Sequence, residues 1–439
     1  MNVNLAKPYG KKCSPPQRED VHFYSMQSED LLFNKLSEIQ IVCAVGVRAM
    51  SLDWTLSYNS VKKAFSSGDA KALTCGRFLI CLQTKDLKPG FYDLRVKIDL
   101  GNNEEIETIC VFGWKVEGME TPNPVPSDFD EFWDQAKREV DQTPCDVKIE
   151  DEWRAFKGEE VDEYNLKCAS LPKSYNSENC IYEEVESCKI SFQAADGKRV
   201  YAWLAKPKGE GPFPAMLILP GAGYNSRPRP LEHARLGFLA IDIQIHGQDV
   251  VYDDYPQIDQ KINYSAPAKE HYYYNVHQRV YQAINVLGQR EDVDSNNIIV
   301  LGGSQGGRLT TVAAGLDSRV KAAIASITHF GNQPYFRWAK KCNELEQDGV
   351  EQEIAWDLES DEAKCLAYYD PMSFATRITC PMFMIAGLID PVSAAAHVFG
   401  VYNQLKTNDK MMVSLPGRGH DWDPEADRIA LTWLKNRIK

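Results

Sequence analysis

No stretch of the 439-residue chain holds 18 consecutive apolar residues, which excludes a bilayer-spanning helix. The opening residues, MNVNLAKPYGKKC, lack the apolar core of a secretory signal. A native start at Met1 therefore implies a cytoplasmic protein, and a trimmed leader a periplasmic or secreted one. There is no Lys/Arg cluster, and 62 acidic side chains outnumber 49 basic ones for a formal charge of -13. That balance argues against nucleic acid as a partner and favours a neutral substrate. The 12 cysteines, spread from Cys13 to Cys380, contain no CxxC pair, so zinc-finger spacing is absent. The chain is too large to need a disulfide scaffold, and the cysteines read as mostly buried free thiols. Low-complexity tracts are also missing. With 44% hydrophobic residues over this length, the chain can bury two cores.

The first part reads as all-β. Glu38 to Val47, Arg77 to Thr84, Gly90 to Leu100 and Ile106 to Val116 are apolar-rich runs between polar turns, the pattern of a sandwich. ETPNPVP, Glu120 to Pro126, fits neither a helix nor a central strand. After it Ser127 can cap a helix, with Asp130 in its first turn and Phe129, Phe132, Trp133, Ala136 and Val140 on one face. The boundaries expected are 1–119 for a small β-sandwich accessory domain, 120–126 for a linker and 127–439 for the remainder. From Lys189 onward strands alternate with helices, and runs such as AMLILP, NIIVLGG and MFMIAG are apolar throughout. Strands buried on both faces predict a doubly wound α/β sheet, whose sites lie beyond the carboxyl ends of its strands. Val276, Val280, Ile284 and Leu287 line one helix, and Ile429, Trp433 and Ile438 line the last.

Within LGGSQGG, Gly302 and Gly306 flank Ser304 between a β-branched run and the helix-like RLTTVAAGL. Strand, sharp turn and helix are what a G-x-S-x-G nucleophile elbow requires. A phosphate-binding loop fits less well, because its Lys-Ser/Thr ending and the G-x-G-x-x-G spacing are both missing. A serine hydroxyl needs a base, and the base needs an acid to hold its tautomer. In α/β-hydrolases these follow in the order Ser, acid, His, each after a strand. Asp390 follows MFMIAG and His420 follows MMVSLP, while Asp421 and Asp423 are rival acids. The oxyanion hole needs the Gln305 N–H and one amide from LPGAGYNSRP, where Tyr224 is the first choice and Gly223 the second.

These residues resemble the acetyl xylan esterase and cephalosporin C deacetylase family of carbohydrate esterases, over most of Pro126 to Lys439. The likeness rests on PSDFDEFWDQAKREVDQTP, the GYN of Gly223 to Asn225, GGSQGG and GLIDPVSAAAHVFGVYNQL. It implies an α/β-hydrolase fold and a serine carboxylesterase that takes acetyl groups off carbohydrate such as xylan, without metal or organic cofactor. A serine peptidase of the same superfamily and a non-catalytic carbohydrate-binding protein are the alternatives.

The sequence departs from the family pattern in four places. Arg-Gly-Gln is His246-Gly247-Gln248, His-Glu is His420-Asp421, PVSAAA replaces a Cys-Pro-Pro stretch, and SITHF replaces Asp-Val-Pro. The altered segment after His246 is the one family oligomers use, so a homo-oligomer is left open. Thr328 and His329 of SITHF, with Trp422 beside His420, are the candidate substrate-binding residues. His246 is expected to be structural, with Asp242 or Asp249 as its partner.

Overall fold

The computed structural model describes residues 20–438 apart from 75, 122–124, 168–179, 224–225, 253–254, 257, 259–261, 264–265 and 348–357. Nine strands come first: β1 (Val21–Tyr24), β2 (Leu32–Phe33), β3 (Glu38–Val45), β4 (Ser51–Tyr58), β5 (Ser66–Asp69), β6 (Lys71–Thr74), β7 (Arg77–Gln83), β8 (Gly90–Gly101) and β9 (Glu104–Trp114). They form two sheets, ordered β1-β3-β7-β6 and β2-β9-β8-β4-β5. Side chains alternate across each strand, so Ile39, Ile41 and Cys43 of β3 meet Leu94, Val96 and Ile98 of β8 in one buried cluster. The opposite face of β8 carries Asp93, Arg95 and Lys97.

Helix α1 (Phe129–Asp141) buries Phe129, Trp133, Ala136 and Val140. Asp128, not Ser127, holds its N-cap position, and neither caps through a side chain. The Asp128 carboxylate accepts instead from the Tyr368 hydroxyl at 2.5 Å. The edge strands β10 (Lys148–Ile149) and β11 (Arg154–Lys157) and helix α2 (Gly158–Lys167) follow.

The main sheet then builds through β12 (Glu184–Gln193), β13 (Arg199–Pro207), β14 (Phe213–Leu219), helix α3 (Leu231–Arg235), β15 (Leu239–Ile243), α4 (Tyr272–Gly288), β16 (Val293–Gly303) and α5 (Gln305–Leu316). It continues with β17 (Val320–Ser326), α6 (Gln333–Gln347), α7 (Asp361–Ala367), α8 (Pro371–Ala375), β18 (Met382–Gly387), α9 (Ala395–Gln404), β19 (Lys410–Leu415) and α10 (Pro424–Lys435). Its strand order is β10-β12-β13-β15-β14-β16-β17-β18-β19, parallel from β15 to β19. Period two decides which layer each residue enters. Leu217 joins the cluster under α4 and α5, whereas its neighbours Met216 and Ile218 join the one under Trp433 and Leu434 of α10. Ile438 lies past the end of α10 but packs on the same cluster.

The β-sandwich sits against α6 and α9. Phe91 meets Phe399 at 4.9 Å between ring centroids, and the Asn403 amide donates to the Val116 carbonyl at 2.8 Å.

Candidate active site

Ser304 stands between β16 and α5 at φ 56° and ψ -118°, a backbone region costly for any residue with a Cβ. Its neighbours make the turn feasible. A Cβ on Gly302 would lie 2.7 Å from the Leu219 carbonyl oxygen, and one on Gly306 would overlap that same oxygen. The Ser304 N–H donates to Ser326 at 2.9 Å, and its carbonyl accepts from Arg308 and His329, both at 3.1 Å.

Asp390 and His420 are brought together by backbone contacts at the ends of β18 and β19. The Leu388 N–H donates to Leu415 at 3.0 Å and the Ile389 N–H to Arg418 at 3.1 Å. The Asp390 carboxylate is fully buried; Oδ1 accepts from the Val392 and Ser393 amides at 2.7 and 2.8 Å. Oδ2 is left for His420 Nδ1 at 2.7 Å, and His420 Nε2 lies 2.9 Å from Ser304 Oγ. Thus Asp390, His420 and Ser304 form one continuous chain of hydrogen bonds. The rival Asp423 is otherwise engaged, capping α10 through the Ala426 N–H and pairing with Arg418, each at 2.9 Å.

Gln305 opens α5, so its N–H is one of those that no carbonyl of the helix can engage. Its side chain is pinned: Oε1 accepts from Tyr273 at 2.8 Å and from Tyr255 at 3.4 Å, and Nε2 donates to the Pro220 carbonyl at 3.5 Å. The Tyr255 oxygen also accepts from the backbone of Gly223, and its hydroxyl is raised well above its ordinary pKa, chiefly by burial. Tyr224 lies outside the described residues.

His246 completes this network and has different partners from those expected. Nδ1 is 2.8 Å from the Tyr272 hydroxyl and Nε2 is 3.2 Å from that of Tyr255. Asp242 is taken by Arg227 and Asp249 by Lys189. If Tyr272 donates to Nδ1, Nε2–H donates to Tyr255, and Tyr255 is free to donate to Gln305. One tautomer therefore satisfies the whole chain. No sequence signal pointed to Tyr255, which sits in an irregular segment far from Ser304 along the chain.

Thr328 and His329 are adjacent and part ways. Thr328 is fully buried and turned to α5, where a Cβ on Gly307 would be 3.1 Å from its hydroxyl. It is packing in this structure, not an open pocket wall. His329 lies beside the elbow, with Nδ1 3.4 Å from Ser393 Oγ. Burial, then the neighbouring His420 and Arg308, lowers its pKa to about 3, so its ring is neutral near pH 7. Trp422 is 37% exposed two residues past His420. Among the described residues no group of three or more His, Cys, Asp or Glu is gathered as a metal site, and no helix is long and apolar enough to cross a membrane.

The acetyl esterase Axe7A of Xylanibacter ruminicola is 27% identical over 401 residues, covering 86% of this chain and 80% of that protein. The structure of an acetyl xylan esterase from Paenibacillus sp. R4 superposes with a TM-score of 0.57 at 25% identity, over 73% of this chain and 98% of that one. Acetyl xylan esterase 1 from Thermoanaerobacterium sp. JW/SL YS485 has the same fold, with a TM-score of 0.57 at 20% identity over 74% and 98% of the two chains. The family model for acetyl xylan esterase (AXE1) matches residues 155–436, a span that takes in the elbow and both loops that meet it. The chain has an α/β-hydrolase fold preceded by β-sheets, its family and relatives make it a carboxylic ester hydrolase, and it belongs to the acetyl xylan esterase family.

Proposed function

We propose that this enzyme removes acetyl groups from xylan or acetylated oligosaccharides through an acetyl-enzyme on Ser304. Membership of the family supports carbohydrate acetyl-ester hydrolysis, and Axe7A is itself named an acetyl esterase. The observation that carries the finer reading is the chain from Asp390 Oδ2 to His420 at 2.7 Å and from His420 Nε2 to Ser304 Oγ at 2.9 Å.

In this reading His420 Nε2 takes the Ser304 proton as Oγ attacks the ester carbonyl, and Asp390 stabilises the imidazolium through Nδ1–H. The oxyanion is met by the Gln305 N–H and an amide of the Gly223 turn. Collapse expels the sugar oxygen, which takes the proton back from His420. Water, deprotonated by the same imidazole, then frees acetate and restores Ser304. Neutral His329 would border the acyl group without competing for protons, and a short pocket there would favour acetyl over longer chains.

The test is acetate release from acetylated xylo-oligosaccharides, run beside an aminoacyl-p-nitroanilide. Acetate release with an inert anilide supports the reading. Anilide cleavage with intact acetyl esters would make the protein a peptidase.

A further inference from the structure

One cavity of the molecule does not include Ser304 in its lining. It is a cleft of about 1020 Å³, floored by the outward face of β4, β8 and β9 and walled by α6. Its lining also takes in Leu388 to Pro391 and Ala394 to His397, from the segment that carries Asp390. Its volume matches the top of the roughly 300–1,000 Å³ range of small-molecule sites, more than an acetyl group needs.

A sheet face that served only to pack against a helix would be apolar. This one presents Asp53 and Thr55 from β4, Arg95 and Lys97 from β8, and Glu107 beside Ile109 from β9. Among these the Arg95 guanidinium is fixed by Asp93 at 3.2 Å and by Ser57 Oγ at 2.8 Å. Asp93 is only 6% exposed, yet the Arg95 side chain keeps 39% of its surface open. An ion pair with one buried partner adds little stability over apolar packing, so stability is a poor reason for placing one in a cleft floor.

The walls are tied together before any ligand arrives. Asn343 of α6 accepts from the Lys62 N–H at 2.7 Å and donates to the Ser60 carbonyl at 3.0 Å, and Tyr335 donates to the Asn59 carbonyl at 3.0 Å. Such preorganisation lowers the ordering cost of binding. Charges of both signs alternate along the floor, and across the lining Lys62, Arg95, Lys97 and Lys340 are matched by Asp53, Asp93, Glu107 and Glu344, so the cleft offers no excess of cations to draw in a polyanion. Fixed donors and acceptors beside apolar Ile109 and Phe336 suit a chain of hydroxyl groups on apolar ring faces.

We propose that this cleft binds a neutral pyranose chain, an unesterified stretch of the polysaccharide whose acetyl groups are removed at Ser304. The inference rests on that reading of Ser304. The cleft does not include the nucleophile; it holds the polymer beside the loop of Asp390 and so raises the local concentration of its esters. The five-stranded N-terminal sheet and the turn after β4 supply half of the lining residues, which gives them a role that the elbow and its partners do not require.

The experiment is calorimetric titration of xylohexaose into the full-length Ser304→Ala protein, with hexagalacturonate as the anionic comparison. Saturable binding of xylohexaose is expected, weakened at least tenfold by Arg95→Ala. Because that change strands the buried Asp93 carboxylate, Thr55→Tyr, which fills the floor from an exposed position, is the second variant and should weaken binding as much. In the Ser304 background each substitution should also lower kcat/KM on acetylated xylan relative to that on p-nitrophenyl acetate. Absent binding, binding untouched by Thr55→Tyr, or equal affinity for hexagalacturonate would overturn the proposal. Failure of the ester reading would show instead as missing acetate release, with the titration unchanged.

Discussion

Asp390→Asn is the most informative single change, because the structure dictates how the new amide must lie. Oδ1 of Asp390 accepts from two backbone amides, Val392 at 2.7 Å and Ser393 at 2.8 Å. An asparagine NH2 group placed there would set donor against donor twice, so the carbonyl must take that position. The NH2 then faces His420 Nδ1, which has to become an acceptor, and Nε2 carries the proton. An imidazole in that tautomer cannot accept from Ser304 Oγ. The corresponding substitution in serine proteases drops kcat about 10⁴-fold, and a similar loss here is about 5.5 kcal/mol of transition-state stabilisation. The loop bonds survive, so the thermal midpoint should shift far less than for Asp390→Ala, which strands two buried amides at about 1–3 kcal/mol each. Steady-state hydrolysis of p-nitrophenyl acetate, with thermal unfolding of both variants, makes the comparison. A kcat within tenfold of wild type for Asp390→Asn would refute the tautomer argument.

Three further outcomes follow from the same geometry. Ser304→Ala, His420→Ala and the double variant should lose nearly the same kcat, since the three groups act as a unit; additive losses would identify another base. Tyr255→Phe deletes a hydroxyl that links Gly223, His246 and Gln305, and should lower kcat by about tenfold, the worth of about one hydrogen bond, with KM little changed. A rise in KM alone would make Tyr255 a substrate contact. Burial lowers His233 and His397 from the ordinary 6.5 to about 4, and His271 and His329 to about 3. The unfolded chain therefore binds more protons below pH 6.5, and stability present above that pH is lost as pH falls toward 4. Each such histidine adds about 1.4 kcal/mol per pH unit to the slope of the unfolding free energy, and His233→Gln should remove one such increment in denaturant melts at stepped pH. An unchanged slope would mean that His233 already carries its proton in the fold.

The elbow was legible because its backbone strain demands glycines, and glycines are visible in a sequence. Asp390 and His420 were legible as residues just past apolar runs, a one-dimensional rule that the parallel sheet turns into proximity. What escaped was set by tertiary contacts. His246 turned to Tyr255 and Tyr272, because Arg227 and Lys189 claim the two carboxylates nearest in sequence. Strand β4 was missed because Leu52, Trp54, Leu56 and Tyr58 alternate with polar residues, a period-two pattern that a search for continuous apolar runs passes over. Thr328 and His329 could not be told apart until the direction of β17 fixed which faced the helix. The cleft has no local signature at all, being the polar face of one sheet set against a helix that lies more than 200 residues further along the chain.

An acetyl-Ser304 intermediate is tested most directly by partitioning. With methanol present as a second acceptor, wild-type enzyme should give the same ratio of methyl acetate to acetate from an acetylated xylo-oligosaccharide as from p-nitrophenyl acetate, because both donors leave behind one and the same acetyl-enzyme. A ratio that changes with the leaving group, or an acetylated oligosaccharide that is not turned over at all, would contradict it.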